Sequence, residues 1–354
     1  MKGLVLSGGK GTRLRPLTYT GAKQLVPLAN KPVLFYVLED LVAAGITDVG
    51  IVVGDTADQI KAAVGDGSAF GCQVTYIHQD QPAGLAHAVR IAREYLATER
   101  FVMYLGDNFI QGGIARYVDA FACSDAAAHV LLYHVAQPQH FGVAQIEDGR
   151  IVGLEEKPRV PKSDLALVGI YFFDHRIHEA VGAIGPSWRG ELEITDAIRQ
   201  LVESGALVQP HILDGWWIDT GKMEDLLDAN RLVLHEMTKR IEGTVAEDCT
   251  IQGNVVVEAG AVVVNSTLRG PLIIGERTRI ESAYVGPFTA IGPDCVVEES
   301  EIEHTIVMER SQILHVPHRI EDSLIGREVT VARSRSKPKA YKLMLGDHSK
   351  VGIL

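Results

Sequence analysis

Short apolar runs alternate with helical segments over roughly the first 213 residues of the chain. The runs that predict buried strands lie at 4–6, 49–53, 74–77 and 101–105. Between the first two runs, Pro32 is placed to open a helix and Gly45 to end it. The apolar face predicted for this helix carries Phe35, Leu38, Leu41 and Val42. Strand, helix and strand in this order predict a mostly parallel α/β sheet, in which ligands collect beyond the carboxyl ends of the strands.

A different rhythm follows a helical stretch predicted at 224–236. Aliphatic residues then recur at short, regular steps, at Val245, Ile251, Val257, Val263, Leu268, Ile274, Ile280, Val285, Ile291, Val297 and Ile302. Three members of this ladder are followed directly by glycine, at Gly275, Gly286 and Gly292. Glycine is expected there because a narrow coil that turns a corner leaves no room for a large side chain. The ladder loosens over 303–319 and resumes at Ile320, Ile325 and Val331. The pattern is typical of a hexapeptide-repeat β-helix and predicts two domains, 1–240 and 241–354.

Composition and charge narrow the class of protein. The 354 residues, of which 46% are hydrophobic, can bury a substantial core and predict a globular protein. The net charge of -11 argues against nucleic-acid binding, which needs a basic surface. We expect no membrane segment and no signal peptide, since no apolar run has the required length or place. The cysteines stand far apart, which disfavours a zinc site or disulfides and predicts a cytoplasmic protein.

A glycine-rich loop at 7–15 directly follows the first predicted strand. Exposed backbone N–H groups of such a loop can surround phosphate oxygens. The loop fits neither the Rossmann fingerprint, which needs a glycine at Leu14, nor the Walker pattern, in which a Gly-Lys pair precedes serine or threonine. Taken alone, it is equally consistent with a simple turn. The nearby cations Arg13 and Lys23 favour a site for a polyanionic triphosphate over a solvated basic surface.

The loop continues into a longer motif. Residues 8–18 read GGKGTRLRPLT, residues 23–27 read KQLVP, and a Lys-Pro pair follows at 31–32. This succession resembles the signature of sugar-1-phosphate nucleotidylyltransferases. The resemblance implies an α/β fold, with a Rossmann-like, mostly parallel sheet in a nucleotidyltransferase domain, followed by a left-handed β-helix domain. It also implies nucleotide contacts at Leu6, Gly8, Gly9, Gly11, Thr12, Arg13, Gln24, Gln79, Pro82, Gly84 and Asp107.

The segment 79–86 follows the third predicted strand and resembles the nucleobase segment of that family. Gln24 and Gln79 match the positions that read thymine, and Gly84 matches a position where the backbone approaches the flat ring. A glutamine amide offers a donor beside an acceptor, which suits the carbonyl and ring N–H of thymine or uracil. By residue type alone, both glutamines would be ordinary surface residues.

Two aspartates are the metal-binding candidates. Asp107 follows the fourth predicted strand, where a carboxylate is well placed for Mg²⁺, although an aspartate there can equally cap a helix. Asp219 lies in the segment 217–221. The resemblance implies that Asp107 and Asp219 hold Mg²⁺ together. Catalysis is then assigned to these two carboxylates and to the phosphate-binding cations Arg13 and Lys23.

The sugar-phosphate half of the family is matched by segments at 141–143, 155–158, 169–171 and 189–196. The residues that match sugar or phosphate contacts are Gly142, Glu156, Lys157 and Tyr171. Without the resemblance, Glu156 and Lys157 would be an exposed ion pair worth less than about 1 kcal/mol. The run 189–196 is left outside the predicted site. The chain departs from the family at Phe141 and His87, where tyrosine and glutamine are common, and neither position receives a role.

The resemblance is closest to members that join dTTP to glucose 1-phosphate, giving dTDP-glucose and pyrophosphate. The expected reaction is an in-line attack by the sugar phosphate, assisted by Mg²⁺. No general base is needed, because a phosphate monoester with a second pKa near 6 is largely ionised at neutral pH. UTP stays an alternative substrate, since one methyl group separates thymine from uracil. The sugar epimer, the pathway and any feedback inhibitor are not predicted.

The C-terminal half raises three further possibilities. Hexapeptide coils also occur in acyltransferases, with His304 or His315 as candidate bases, but a scaffold role is favoured. A basic segment could bind an acidic partner or simply cap the coil, and it contains Arg327, Arg333, Arg335, Lys337, Lys339 and Lys342. An exposed coil face commonly finds a symmetric partner, so a homo-oligomer is expected.

Overall fold

The computed structural model describes residues 1–9, 11–19 and 21–334. The chain divides into two compact units, Met1–Val233 and Leu234–Leu354. The predicted domain boundary, near Arg240, stays a prediction. Lys10 of the glycine-rich loop and the basic residues from Arg335 onward lie outside the described residues.

The first unit is built on a mixed β-sheet. The strands described in this unit are β1 (Lys2–Ser7), β2 (Pro27–Leu28), β3 (Lys31–Pro32), β4 (Asp48–Val53), β5 (Gln73–His78), β6 (Phe101–Leu105), β7 (Asn108–Ile110), β8 (Ala128–His134), β9 (Gly142–Glu147), β10 (Arg150–Glu156), β11 (Leu165–Phe173), β12 (Val208–Ile212) and β13 (Trp217–Asp219). Strand β2 pairs with β3, and β7 with β13, in two-stranded sheets of their own, while the other nine form the mixed sheet. The strands predicted from the apolar runs are confirmed as β1, β4, β5 and β6. They form a parallel array in the order β6-β1-β4-β5.

The second half of this unit departs from the predicted parallel rhythm. Strand β11 pairs antiparallel with β6, β8 and β9, and β9 pairs antiparallel with β10. Antiparallel strands can be joined by short turns, whereas parallel strands need a long crossover, usually a helix. The sheet is therefore parallel where the glycine-rich loop leaves it and antiparallel on the side of the predicted sugar-phosphate segments.

All but the last of the following helices bury residues in the cores that also contain the sheet, and the last one extends past the end of the first unit. They are α1 (Val33–Ala43), α2 (Ala57–Val64), α3 (Leu85–Ile91), α4 (Arg93–Leu96), α5 (Ala115–Ala122), α6 (Ile177–Ala183), α7 (Ile194–Glu203) and α8 (Met223–Glu236). Successive strand residues face opposite sides, so Leu4 joins one core cluster and Val5 the other. Among the described residues, no helix combines the length and hydropathy needed to cross a bilayer.

Helix α1 begins and ends close to the predicted residues, because Pro32 is its N-cap and Gly45, with φ +79°, follows its end. Its buried face differs from the prediction. The fully buried residues of this helix are Val33, Leu34, Val37, Leu38 and Leu41. Phe35 and Val42 are only half-buried, since they lie at the edges of that stripe.

The second unit is a parallel coil of short strands. They are β14 (Arg240–Ile241), β15 (Thr244–Val245), β16 (Thr250–Gln252), β17 (Val255–Val257), β18 (Val262–Val264), β19 (Thr267–Arg269), β20 (Leu272–Ile274), β21 (Arg279–Glu281), β22 (Tyr284–Val285), β23 (Thr289–Ile291), β24 (Val296–Glu298), β25 (Glu301–Ile302), β26 (Thr305–Val307), β27 (Gln312–Leu314), β28 (Ser323–Ile325) and β29 (Thr330–Ala332). Along most of the coil, each strand pairs in parallel with the third strand after it, as β14 does with β17. This pairing gives three sheets among the described residues. The predicted β-helix is confirmed, and its left-handedness stays a prediction.

The ladder of aliphatic residues fills the centre of the coil. Its members from Val257 to Ile302 are almost fully buried. The prediction that the ladder loosens over 303–319 was wrong for most of that range, because Val307 and Ile313 continue it inside β26 and β27. Neighbouring coils approach closely at Gly275, where an added Cβ would lie 2.5 Å from the backbone of Gly292.

A buried histidine pair makes the first unit sensitive to acid. His129 in β8 is 1% exposed, and its Nδ1 lies 3.0 Å from Nε2 of His211 in β12. Burial, followed by the charges of His211 and Arg100, lowers the pKa of His129 to about 4. Burial and Arg116 likewise lower the pKa of His211. Both imidazoles are therefore neutral in the folded protein at neutral pH.

Lowering the pH from 7 to 5 should reduce the contribution of the histidine pair to the free energy of unfolding of this unit. The unfolded chain takes up protons near the ordinary histidine pKa of about 6.5, whereas folded His129 stays neutral until about pH 4. The expected loss from His129 is about 2 kcal/mol. Urea denaturation followed by tryptophan fluorescence measures it, since Trp188, Trp216 and Trp217 all lie in the first unit. His129→Leu should flatten this pH dependence, and an equally steep loss in that variant would contradict the assignment.

Candidate active site

The topology of the sheet brings the sequence-predicted segments to one edge. Strand β1 lies between β4 and β6, so the glycine-rich loop leaves the sheet beside the end of β6, where Asp107 follows. Gln79 follows β5, and its backbone N–H donates to the carbonyl of Val53 at the end of β4. A cavity of about 290 Å³ opens at this edge and is lined by Leu6, Gly8, Gly9, Arg13, Lys23, Gln24, Val52, Gln79, Pro82, Gly84, Leu85, Ala88, Leu105, Asp107, Asn108, Glu191 and Asp219.

Asp107 is held by a cation and an amide. Lys23 donates from Nζ to Oδ2 of Asp107, and the Asn108 side chain donates to Oδ1 at 3.1 Å. Burial of Asp107 acts to raise its pKa, but the charge and hydrogen bond of Lys23 outweigh it and leave the pKa below its usual value. Asp107 is therefore ionised at neutral pH although it is only 6% exposed.

Asp219 reaches the same place through a short antiparallel ladder. Strand β13 pairs with β7 so that Asp219 stands opposite Asn108, the residue after Asp107. Two hydrogen bonds fix this arrangement, because Thr220 donates from its backbone N and its Oγ1 to the carbonyl of Asp107, at 3.0 and 2.9 Å. Trp217 also donates from Nε1 to the Asn108 Oδ1 at 2.8 Å. The two aspartates, far apart in the chain, are thereby brought together.

The charge of this pair is suited to a divalent cation. Burial and the neighbouring negative charge of Asp107 raise the pKa of Asp219 to about 6, against the opposing effect of Lys23 and Arg13. Two neighbouring carboxylates that repel each other, one buried and one half-buried, are stabilised by a cation placed between them. Their oxygen atoms are also the ligand type that Mg²⁺ prefers. Asp107 and Asp219 therefore fit a shared metal ion.

Arg13 lies beside these carboxylates. An added Cβ on Gly221 would lie 2.8 Å from a terminal guanidinium nitrogen of Arg13 and 3.0 Å from Oδ1 of Asp219. The guanidinium and the carboxylate therefore share the space over Gly221, which only a residue without a side chain leaves open. The site thus combines two carboxylates with two cations, Arg13 and Lys23, in one cavity.

The glutamine side of the cavity is polar and partly unsatisfied. Gln24 is 1% exposed, and its Oε1 accepts no hydrogen bond from the described residues. Gln79 also lines the cavity, and its Oε1 would lie 3.2 Å from a Cβ added to Gly8. A buried amide oxygen without a partner is costly, so a ligand donor is expected to complete it.

Gly84 joins the glutamine segment to the loop before α7. Its φ is +106°, and an added Cβ would lie 2.3 Å from the carbonyl oxygen of Leu192. Leu192 in turn accepts from the Ala86 N–H at 3.0 Å and donates to the Ala83 carbonyl at 2.8 Å. The backbone at Gly84 is consequently fixed beside the cavity by contacts that leave no room for a side chain.

Gly84→Ala should weaken nucleotide binding without changing the catalytic groups. The new methyl group must push Leu192 away, and the alanine backbone must adopt a strained φ. Together these cost about 1–3 kcal/mol. We expect KM for the nucleoside triphosphate to rise by about tenfold and kcat to change much less. The matched control is Gly182→Ala, where an added Cβ meets nothing within 4 Å. Equal KM values for both variants would show that the close contact at Gly84 has no role in binding.

A second, larger cavity adjoins the first. Its volume is about 1000 Å³, and it shares Arg13, Leu85, Leu105 and Asp219 with the smaller one. Its wall includes the residues predicted to contact sugar phosphate, which are Gly142, Glu156, Lys157 and Tyr171. Antiparallel pairing places Gly142 opposite Glu156, and an added Cβ on Gly142 would lie 3.0 Å from Oε2 of Glu156. The site therefore has two compartments that meet at Arg13 and Asp219.

Glu156 stands at the centre of a charged cluster in the larger cavity. Its Oε1 lies 3.5 Å from Nζ of Lys157 and 3.6 Å from a guanidinium nitrogen of Arg189. Thr195 donates to Oε2 at 3.4 Å. Burial raises the pKa of Glu156, while Lys157 and Arg189 oppose the rise and Glu193 adds to it. Burial and Glu156 also raise the pKa of Tyr171, so its hydroxyl keeps its proton.

Sequence reasoning left Arg189 and Ile194 outside the site, yet both line the larger cavity. Arg189 contacts Glu156, Glu191 and Glu193. The matching motif at 189–196 was the available signal, but its helical pattern did not show which residues face the cavity. Further residues of this cavity wall were also missed, among them Tyr133, Trp216, Trp217, Lys222, Asp225, Asp228 and Arg231.

The other predicted residues divide clearly by position. The nucleotide-binding candidates that line the smaller cavity are Leu6, Gly8, Gly9, Arg13, Gln24, Gln79, Pro82, Gly84 and Asp107. Gly11 and Thr12 do not line either cavity; Gly11 adopts φ +60°, and Thr12 is exposed.

The candidate acyltransferase bases lie in the second unit, where His304 contacts Asp322 and His315 contacts Glu299. Their roles stay predictions.

Comparisons with known proteins agree with this geometry. The nucleotidyl transferase family matches residues 2–236. A glucose-1-phosphate thymidylyltransferase of Streptomyces antibioticus is 58% identical over 100% of this chain and 99% of its own length. One of Streptomyces griseus is 56% identical over 100% of this chain and 99% of its own. A crystal structure from Bacillus anthracis, described as a glucose-1-phosphate thymidylyltransferase in complex with a sucrose, is similar with a TM-score of 0.62 and 37% identity, over 66% of this chain and 94% of its own.

Proposed function

Since the chain belongs to the nucleotidyl transferase family, we propose that it transfers a thymidylyl group from dTTP to glucose 1-phosphate, giving dTDP-glucose and pyrophosphate. The observation that carries the proposal is the meeting of two cavities at Arg13 and Asp219. One cavity has the glycine-rich loop and two glutamines, and the other has Glu156 and Lys157. Full-length similarity to enzymes with this name supports the same substrates.

The smaller cavity binds the nucleotide in this proposal. Backbone N–H groups around Gly8 and Gly9 contact the phosphates, and Arg13 and Lys23 neutralise their charge. Lys23 donates to Asp107 in the structure, and if Asp107 held a metal ion, Lys23 would be free to contact the phosphate. Gln24 and Gln79 contact the pyrimidine. The Oε1 of Gln24, which accepts no hydrogen bond from the described residues, gains a donor from another part of the bound nucleotide.

The larger cavity binds and aims the sugar phosphate. Lys157 neutralises the attacking phosphate, while the buried Glu156 accepts hydrogen bonds from sugar hydroxyls. Arg13 lies where the cavities meet and stabilises the negative charge that builds up around the α-phosphorus. The phosphate oxygen forms the new bond to the α-phosphorus as the bond to pyrophosphate breaks. Holding the two substrates in line lowers the barrier by removing the need for a chance encounter.

We assign Asp107 and Asp219 as the residues that hold Mg²⁺. When bound, the ion would neutralise phosphate charge as a Lewis acid. Asp107 is ready for this role because it is ionised. Burial and the charge of Asp107 raise the pKa of Asp219 to about 6, so Asp219 is mostly ionised at pH 7, and a bound cation would lower that pKa again. No side chain has to act as a general base, since the phosphate nucleophile is already ionised at neutral pH.

The activity is tested by incubating the full chain with Mg²⁺, glucose 1-phosphate and one nucleoside triphosphate at a time. Pyrophosphate release and nucleotide-sugar formation are measured together. We expect dTTP to give both products and ATP and GTP to give little of either, because a purine does not match the glutamine pair. UTP tests how far the site detects the thymine methyl group. Absence of both products with dTTP and UTP would refute the proposed function.

A further inference from the structure

A histidine stands behind the pyrimidine-facing glutamine. His87, in helix α3, does not line the cavity, whereas Gln79 does. Nδ1 of His87 lies 2.9 Å from Nε2 of Gln79. This contact spans one loop, since Gln79 follows β5 and His87 lies in the helix after it.

The chemistry of the two groups fixes the direction of this hydrogen bond. The Nε2 of a glutamine amide is an NH₂ group, which donates hydrogen bonds and does not accept them. Nδ1 of His87 must therefore accept. The imidazole is then neutral, with its proton on Nε2. Burial and the charge of Arg90 lower the pKa of His87, in agreement with a neutral ring, while Asp80 opposes them. Asp80 is itself contacted by His78 at 3.2 Å.

The bond also determines which amide atom faces the ligand. With Nε2 turned to His87, the Oε1 of Gln79 points to the side of Gly8, a residue of the cavity wall. We propose that His87 is a positioning residue that makes Gln79 present a hydrogen-bond acceptor to the base, and thereby selects pyrimidines that carry a proton on N3. The inference rests on the proposed function for the kind of ligand, and it assigns a role to a side chain with no contact to that ligand.

The consequence for specificity follows from the edges of the bases. Thymine and uracil carry N3–H, which donates to the Gln79 oxygen, whereas N3 of cytosine is an acceptor and would face that oxygen without a proton between them. If the amide turned round, its NH₂ group would face the base and the preference would move towards cytosine. A side chain at position 87 that accepts a hydrogen bond therefore favours thymine, and one that cannot accept removes this bias.

The test replaces His87 by an apolar residue and measures base preference. His87→Leu and His87→Ala keep a helix-forming side chain but cannot accept a hydrogen bond, and His87→Gln retains an acceptor. Affinities for dTDP and dCDP are measured by calorimetry, and KM for dTTP and glucose 1-phosphate by pyrophosphate release. The melting temperature of each variant identifies any that fails to fold.

We expect the apolar variants to bind dTDP about fivefold more weakly, the effect of one neutral hydrogen bond, and to lose much of the preference over dCDP. KM for glucose 1-phosphate should stay unchanged, and His87→Gln should stay near the wild type. In a Gln79→Leu background, His87→Leu should have no further effect on dTDP binding, because its action passes through Gln79.

An unchanged ratio of dTDP to dCDP affinity in the folded apolar variants would overturn the inference. An equal loss in the Gln79→Leu background would do the same, since it would show a general structural role. Because binding is measured without turnover, these results remain readable whether or not the wild type releases pyrophosphate. Failure of the proposed function is recorded separately, by the absence of products in the wild type.

Discussion

Asp107→Asn should lower kcat for pyrophosphate release by about two to three orders of magnitude in the presence of Mg²⁺. The substitution preserves the shape of the side chain but removes the charge that contacts Lys23 and to which we assign metal binding. The electrostatic stabilisation that this buried carboxylate contributes is then lost. Steady-state kinetics with saturating dTTP and glucose 1-phosphate measure the effect.

The matched control for this result is Asp119→Asn, an exposed aspartate in α5. It removes the same charge from the same unit and should leave kcat within about twofold of the wild type. Thermal melting should show both variants folded, because the Thr220 bonds go to the backbone carbonyl of residue 107 and not to its carboxylate. A folded Asp107→Asn variant with wild-type turnover would refute the assigned role.

Arg13→Ala should lower kcat/KM by about two orders of magnitude. Its guanidinium is the cation that both cavities share, so its loss affects the nucleotide and the attacking phosphate at once. We expect a decrease in kcat as well as a rise in KM for both substrates, because the charge is most needed when the bonds to phosphorus are changing. Initial-rate measurements over a grid of both substrate concentrations separate these effects.

Arg15→Ala is the control, since Arg15 lies in the same loop but packs over the ring of Tyr19 outside the cavities. It should leave both KM values and kcat close to those of the wild type. If the two arginine variants lost activity equally, the effect would belong to the general charge of the loop. The position of Arg13 where the two cavities meet would then not explain the loss of activity.

Local patterns predicted much of the fold. The buried strands of the parallel array were recognisable because each is a short, nearly unbroken apolar run, as in β4 and β6. The coil was recognisable because its aliphatic residues repeat at short steps. The antiparallel pairings of β11 were not predictable, since they depend on contacts between segments that are distant in the chain. At Val307 and Ile313, surrounding polar residues hid a repeat that the structure continues.

The candidate site was predicted as a set of motifs, but not as an arrangement. Motifs pointed to Asp107 and Asp219, yet only the pairing of β7 with β13 shows why they meet. Arg189 was missed because its ion pairs to Glu156 and Glu193 join separate elements. His87 was noticed only as a departure from the family, since its contact with Gln79 depends on how helix α3 packs beside the end of β5.

The sharing of one divalent ion by two carboxylates is tested most directly by binding of Mn²⁺, which replaces Mg²⁺ and is visible by electron paramagnetic resonance. The titration is made with dTTP present and glucose 1-phosphate omitted, for the wild type and for Asp107→Asn and Asp219→Asn separately. We predict one tightly bound ion per chain in the wild type, and a loss of affinity of about tenfold or more in each variant. Wild-type affinity in either folded variant would contradict a shared site.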